Sequence, residues 1–212
     1  MPTTNKFWYR VVMVLAALAY VSIAIGGYYH RSELNITSYS IWLILSAMMA
    51  YPSKKQKLPS YYMVMVWATG NASLVVFSLL VGGYTYNLDA GGTIAFYGII
   101  STFAVWGAVA AVTKKFNSRI LFYGVILTDV ASFYPQLKQY FQPHEPATPW
   151  MYAGWICWIV AAAIQLVHVD KFIANWRAKT ASRLKLLETS ATSLENGIML
   201  ILTTVMMAVW SR

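Results

Sequence analysis

Long stretches with almost no charge alternate along this chain with short segments where charge gathers. A helix needs about 20 apolar residues to cross roughly 30 Å of hydrocarbon, and seven stretches approach that length. They are residues 8–27, closed by Gly26-Gly27; 38–51, the shortest, stopped by Pro52; and 61–81, ended by Gly82-Gly83. Then come 93–113; 120–140, with Pro135 inside; 150–169; and 193–210. The pattern predicts an all-α, multi-pass bundle of seven transmembrane helices forming a single membrane domain, 1–212. Between the sixth and seventh stretches, at 170–192, Phe172, Ile173, Trp176, Leu184 and Leu187 interleave with Lys171, Arg177, Lys179, Arg183 and Lys185. This segment reads as a cationic helix on the inner membrane surface, as an extension of helix six, or as a solvated linker helix. On the first reading it docks anionic lipid or a protein.

Composition changes the picture by excluding a soluble fold. Apolar residues make up 58% of the chain and charged residues 11%, whereas soluble domains carry about 25% charge. So few charges cannot cover a globule in water, but a lipid-facing exterior needs none. The net charge of +9 raises the question of nucleic acid, and the position of the charges answers it differently. With the amino terminus inside, thirteen of the sixteen basic residues fall on inner segments; only Arg31, Lys138 and Arg212 fall outside. Such a bias orients membrane proteins and matches anionic inner-leaflet lipid. The expected placement is the cell membrane, amino terminus cytoplasmic and carboxyl terminus outside, with no nucleic-acid partner. Residues 7–27 form too long an apolar run for a secretory signal. Trp8, Tyr28, Tyr29, Tyr61, Tyr62, Trp150 and Trp210 stand at run ends, where aromatic rings prefer the headgroup level.

Candidate chemistry is sparse. There is no metal-spaced His/Cys cluster, nucleophile elbow, phosphate loop or dinucleotide fingerprint, so neither enzymatic activity nor a cofactor is expected. A retinal protein would need a lysine in the last stretch, and 193–210 has none. The lone Cys157 reads as a small packing residue. What remains are polar groups inside apolar runs. Asp129 is the one acidic residue near the middle of a run; at that depth a carboxyl faces a cavity or a partner. It reads either as a proton-coupling or substrate-binding group or as a structural hydrogen bond between helices. Pro135, six residues beyond it, removes a backbone donor, making either a hinge or the end of the helix. Asn71 lies mid-run within Thr69-Gly70-Asn71-Ala72-Ser73, and Asn196 opens the last run. Trp155 and Trp158, three apart, share a helix face, where core packing competes with ligand stacking. Asn35-Ile36-Thr37 has the form of a glycosylation acceptor.

The segment from Asp129 through Tyr134-Pro135-Gln136 and Lys138, followed by Pro143, Glu145, Thr148 and Trp150 or Trp155, resembles a repeat of the PQ-loop and SWEET-like superfamily. There a Pro-Gln dipeptide near a helix end precedes a short polar loop, and a Ser/Thr and a tryptophan open the next helix. Tyr29, Glu33, Thr37 and Trp42 echo Phe141, Glu145, Thr148 and Trp155 with a one-residue gap. A rival echo, Tyr51-Pro52 against Tyr134-Pro135, would pair helix two with helix five as an inverted repeat. The first repeat carries Gly26-Gly27 where Pro-Gln would stand, and the charge bias is opposite to the usual SWEET orientation. The resemblance implies two three-helix bundles joined by an inverting fourth helix, with paired asparagines and tryptophans lining a substrate pocket. It therefore implies a transporter of a small polar solute; together with the polar residues placed inside the runs, near a proline, it leads to the expectation that Asn71, Asp129, Trp158 and Asn196 bind substrate with Pro135 as hinge. The alternative is a non-transporting receptor, sensor or assembly partner that uses the cationic segment 170–192.

Overall fold

The computed structural model describes residues 3–30, 34–55, 61–81 and 147–169 continuously, with isolated helical positions between 93 and 112 and between 197 and 208. Among the described residues every regular element is helical: α1 (Thr3–Tyr29), α2 (Ile36–Lys55), α3 (Tyr61–Val81) and α4 (Pro149–Ile164), which runs on into a π-turn, Gln165–Val169. Among the described residues, three stretches are long and apolar enough to cross a membrane: Lys6–Tyr29, Val64–Val81 and Pro149–Val169. Their outer faces are apolar as well. Val14, Leu18 and Val21 on α1, Leu79 and Leu80 on α3, and Ile156 on α4 are about half exposed or more. Water would penalise so continuous an apolar surface, whereas hydrocarbon chains solvate it. The described part is therefore an all-helical assembly suited to a bilayer.

Side-chain contacts fix the helix directions. Ile23 meets Gly154, Tyr20 meets Trp158 and Trp8 stacks on His168. Residue numbers rise in α1 as they fall in α4, so the two helices are antiparallel. Tyr9 meets Tyr62, and Tyr20 meets Gly70 and Trp67, so α1 and α3 are parallel. α2 packs on α3, and the short connection at 56–60 makes these two antiparallel neighbours. α1 thus lies between α4 and α3. Glycine sets the closeness of both contacts. A Cβ on Gly154 would stand 2.7 Å from Ile23 Cγ1 and 3.1 Å from the Ala19 carbonyl oxygen. A Cβ on Gly70 would overlap the Tyr20 ring. Small residues serve this purpose in membrane bundles, where dispersion and close approach replace the hydrophobic effect between helices.

α2 differs from the run that announced it. The helix extends from Ile36 to Lys55 and takes in Pro52 rather than stopping before it. Pro52 falls in the last turn, so the missing N–H costs one terminal hydrogen bond instead of breaking a ladder. Every residue from Ile36 to Trp42 is buried, so this half of α2 is an interior element enclosed on all sides. That burial explains why Thr37, Ser38 and Ser40 stand among its apolar residues.

α2 and α4 open alike. The Ser38 backbone N–H donates to Asn35 Oδ1 at 3.1 Å, and the Met151 N–H donates to Thr148 Oγ1 at 3.3 Å. Both are N-cap bonds made three residues on. One turn further stand Tyr39 and Tyr152, and then Trp42 and Trp155. The Tyr–Trp pairs are edge-to-face in both helices, at 5.2 Å and 75° and at 5.8 Å and 85°. The internal echo therefore aligns Asn35 with Thr148 without a gap, in place of Thr37 with Thr148. It also assigns Asn35 a capping task, and Thr37 is only 4% exposed, so the glycosylation-type triplet is a helix start.

Candidate functional site

The polar residues of the described helices sort by face. On α3, Val64, Trp67, Asn71, Leu74 and Ser78 are buried, a 3–4 spacing that makes one inward stripe. On α4 and its π-turn, Met151, Trp155, Ala162, Gln165 and Val169 are buried at the same spacing, with Trp158 partly buried among them. Asn71 and Trp158 thus occupy inward faces of two different helices. Tyr20 of α1 joins them. Its ring packs edge-to-face on Trp158, 5.4 Å between centroids, and lies against Gly70, the neighbour of Asn71. Its hydroxyl donates to the Trp67 carbonyl oxygen at 3.3 Å, one helical turn before Asn71. All three side chains stand near mid-helix, at one level of the bundle.

Several polar atoms on these faces are buried and unbonded. Asn71 Oδ1, Ser78 Oγ, Trp158 Nε1 and both amide atoms of Gln165 have no hydrogen-bond partner. Gln165 is 1% exposed and Asn71 is 1% exposed, so water at the protein surface does not reach them. Leaving such groups unpaired costs about 1–3 kcal/mol each. Native proteins pair nearly all their buried polar groups, and the exceptions mark an ordered water or a ligand. The set holds acceptors on Asn71 and Gln165 and donors on Trp158 and Gln165. It carries no charge, and the described lysines and arginines sit elsewhere, at the shared end of α1 and α2.

Gln165 was readable in the sequence as the one amide between Trp150 and Val169, yet its apolar neighbours disguise it. The chain marks it structurally. Its backbone N–H is shared between the Ala161 and Ala162 carbonyls, and the helix widens there into the π-turn, a distortion that recurs at functional sites. Tyr20 carried no such signal, because a tyrosine in an apolar run looks like packing. Asp129, Pro135 and Asn196, and the cationic segment 170–192, lie outside the described residues. No cluster of three His, Cys, Asp or Glu able to hold a metal occurs among the described residues. No protein family, curated protein or solved structure matches the chain.

Proposed function

We propose that this chain is a multi-pass membrane transporter for a small, neutral, polar solute, whose site is built on the inward faces of α3 and α4. The observation that carries it is the set of buried, unbonded polar atoms on Asn71, Trp158 and Gln165, at and below the level of Tyr20. A scaffold residue would be paired or apolar; a solute with hydroxyl or amide groups supplies the missing partners during its passage. Asp129 and Asn196 complete the site from the fifth and seventh helices of the seven-span reading, and Pro135 provides the hinge for alternating access.

Helix direction supports the seven-span arrangement. α1 and α3 are parallel and α4 is antiparallel to them, so α3 ends and α4 begins on the same membrane side. The chain between them then crosses an even number of times, as the two apolar runs 93–113 and 120–140 require. The matching starts of α2 and α4 support a repeated architecture of the PQ-loop and SWEET-like kind. Lys6, Arg10 and Lys54 are exposed at one end of the bundle, which supports a cytoplasmic amino terminus.

Purified protein in proteoliposomes, offered a panel of labelled sugars, nucleosides and vitamins, should take up one class saturably. Asn71→Ala should lower that uptake at least tenfold, and Trp158→Phe, which keeps the ring and removes the N–H, should raise KM more than it lowers kcat. Absence of uptake across the panel, or uptake indifferent to both substitutions, would overturn the reading.

A further inference from the structure

A groove of about 670 Å³ runs between α1 and α3 and reaches the edge of the buried stripe of α3 at Leu74. Tyr20, Gly70 and Leu74 form its floor, and its rims include Ala17 and Val21 on α1 and Met65 on α3. The rim residues are exposed while Tyr20 and Leu74 are buried, so the groove opens sideways, toward the surroundings of the bundle. Its lining is mostly apolar, with Tyr62, Thr69 and Ser73 as the polar members beside Tyr20. The Ser73 hydroxyl donates to its own helix at Thr69 O, 2.8 Å, and the Tyr20 hydroxyl is spent on Trp67. This is a slot for hydrocarbon.

One end is cationic. Residues three and four apart stack along one helix face, and the sequence Lys6, Arg10, Met13, Ala17, Val21, Ala24 keeps that spacing. Lys6 and Arg10 are exposed and prolong the groove wall beyond Met13. The Tyr9–Tyr62 contact, 6.4 Å between centroids, sets Arg10 level with Tyr62, the residue that closes this end of the groove on α3. No acidic residue occurs in the first turn of either helix. From Tyr62 to Phe77 the groove follows α3 for roughly 22 Å at about 1.5 Å per residue. That exceeds half of a hydrocarbon core about 30 Å thick, the depth one acyl chain occupies.

We propose that this groove is a binding site for an anionic glycerophospholipid, one acyl chain lying over Tyr20 and Gly70 and the phosphate held by Lys6 and Arg10. The occupant follows from the match of an apolar slot of acyl-chain length with the exposed basic pair Lys6 and Arg10 at the headgroup level. The groove shares Tyr20 and Leu74 with the inward faces, but Asn71, Trp158 and Gln165 do not line it, and it stands whether or not the chain transports a solute.

The test uses the full chain in detergent, equilibrated with equal mole fractions of dioleoyl phosphatidylglycerol and dioleoyl phosphatidylcholine, with bound lipid counted by native mass spectrometry. The wild type should retain one phosphatidylglycerol in preference to phosphatidylcholine. Lys6→Gln and Arg10→Gln should each reduce that preference about fivefold, the equivalent of about 1 kcal/mol per basic residue near an anionic surface. Ala17→Trp, which fills the slot, should abolish the retained lipid, and Val21→Trp should do the same if the first variant fails to fold. Equal retention of both lipids by the wild type would overturn the proposal. So would a preference unchanged in Lys6→Gln/Arg10→Gln, whose exposed positions leave folding intact. A homodimer that Ala17→Trp or Val21→Trp dissociates would assign the groove to a second copy of the chain instead.

Discussion

Gln165 brings stability and function into opposition at a single residue. Its amide is buried and bonded to nothing, so an apolar side chain of similar size removes a desolvation cost of about 1–3 kcal/mol. Gln165→Leu should therefore raise the apparent Tm in detergent or leave it unchanged, while solute uptake falls at least tenfold. A lowered Tm would mean that the amide supports the fold and would remove Gln165 from the site. Asn71 has the same character, but its amide had already stood out in the sequence because small polar neighbours surround it. Hydropathy could reveal only that these groups lie within apolar runs. It could not show that the Tyr20 ring bridges Trp158 and Gly70, because that contact joins residues far apart along the chain and depends on a ring orientation that no residue pattern encodes.

Among the helices, small residues set the spacing. Gly154 lets α4 rest on the backbone of α1 at Ala19, and Gly70 lets the Tyr20 ring lie on α3. Adding a methyl group at either place forces the helices apart or turns the ring, and overpacking of this kind costs about 1–3 kcal/mol. Gly154→Ala and Gly70→Ala should each lower Tm, and Gly70→Ala should also weaken the bond from Tyr20 to the Trp67 carbonyl. Gly98 is the control: nothing lies within 4 Å of a Cβ added there. Gly98→Ala should be neutral or stabilising by up to about 1 kcal/mol, because alanine restricts the unfolded chain. A uniform response of all three glycines would show that helix propensity, not close approach, governs them. Apolar length alone located α3, whose bounds coincide with the run 61–81. It placed α2 as well, and only the ends differ: the helix runs from Ile36 to Lys55 and takes in Pro52, because the buried start carries Thr37, Ser38 and Ser40 beside its apolar residues.

For the whole molecule the decisive quantity is the parity of crossings. α1 and α4 run antiparallel through the Ile23–Gly154, Tyr20–Trp158 and Trp8–His168 contacts. Phe7 and Trp150 therefore lie at opposite ends of the bundle, while Tyr29 and Trp150 share an end. Both Phe7 and Trp150 are exposed, which makes them usable reporters once Cys157, the one cysteine of the chain, is replaced by serine. In oriented membrane vesicles an impermeant thiol reagent should label Phe7→Cys from the cytoplasmic side and both Tyr29→Cys and Trp150→Cys from the other. A bifunctional reagent should also join Trp8→Cys to His168→Cys, whose parent rings stack at 4.3 Å. The two results bear on different statements. Failure of the cross-link would overturn the antiparallel pairing of α1 and α4. Labelling of Trp150→Cys from the same side as Phe7→Cys, with the cross-link intact, would place both reporters on one face and exclude α1 as a full crossing. If Tyr29→Cys and Trp150→Cys label together from outside, the segment between α3 and α4 must return to the side it left. The pair of apolar runs at 93–113 and 120–140 then has the right number to do so.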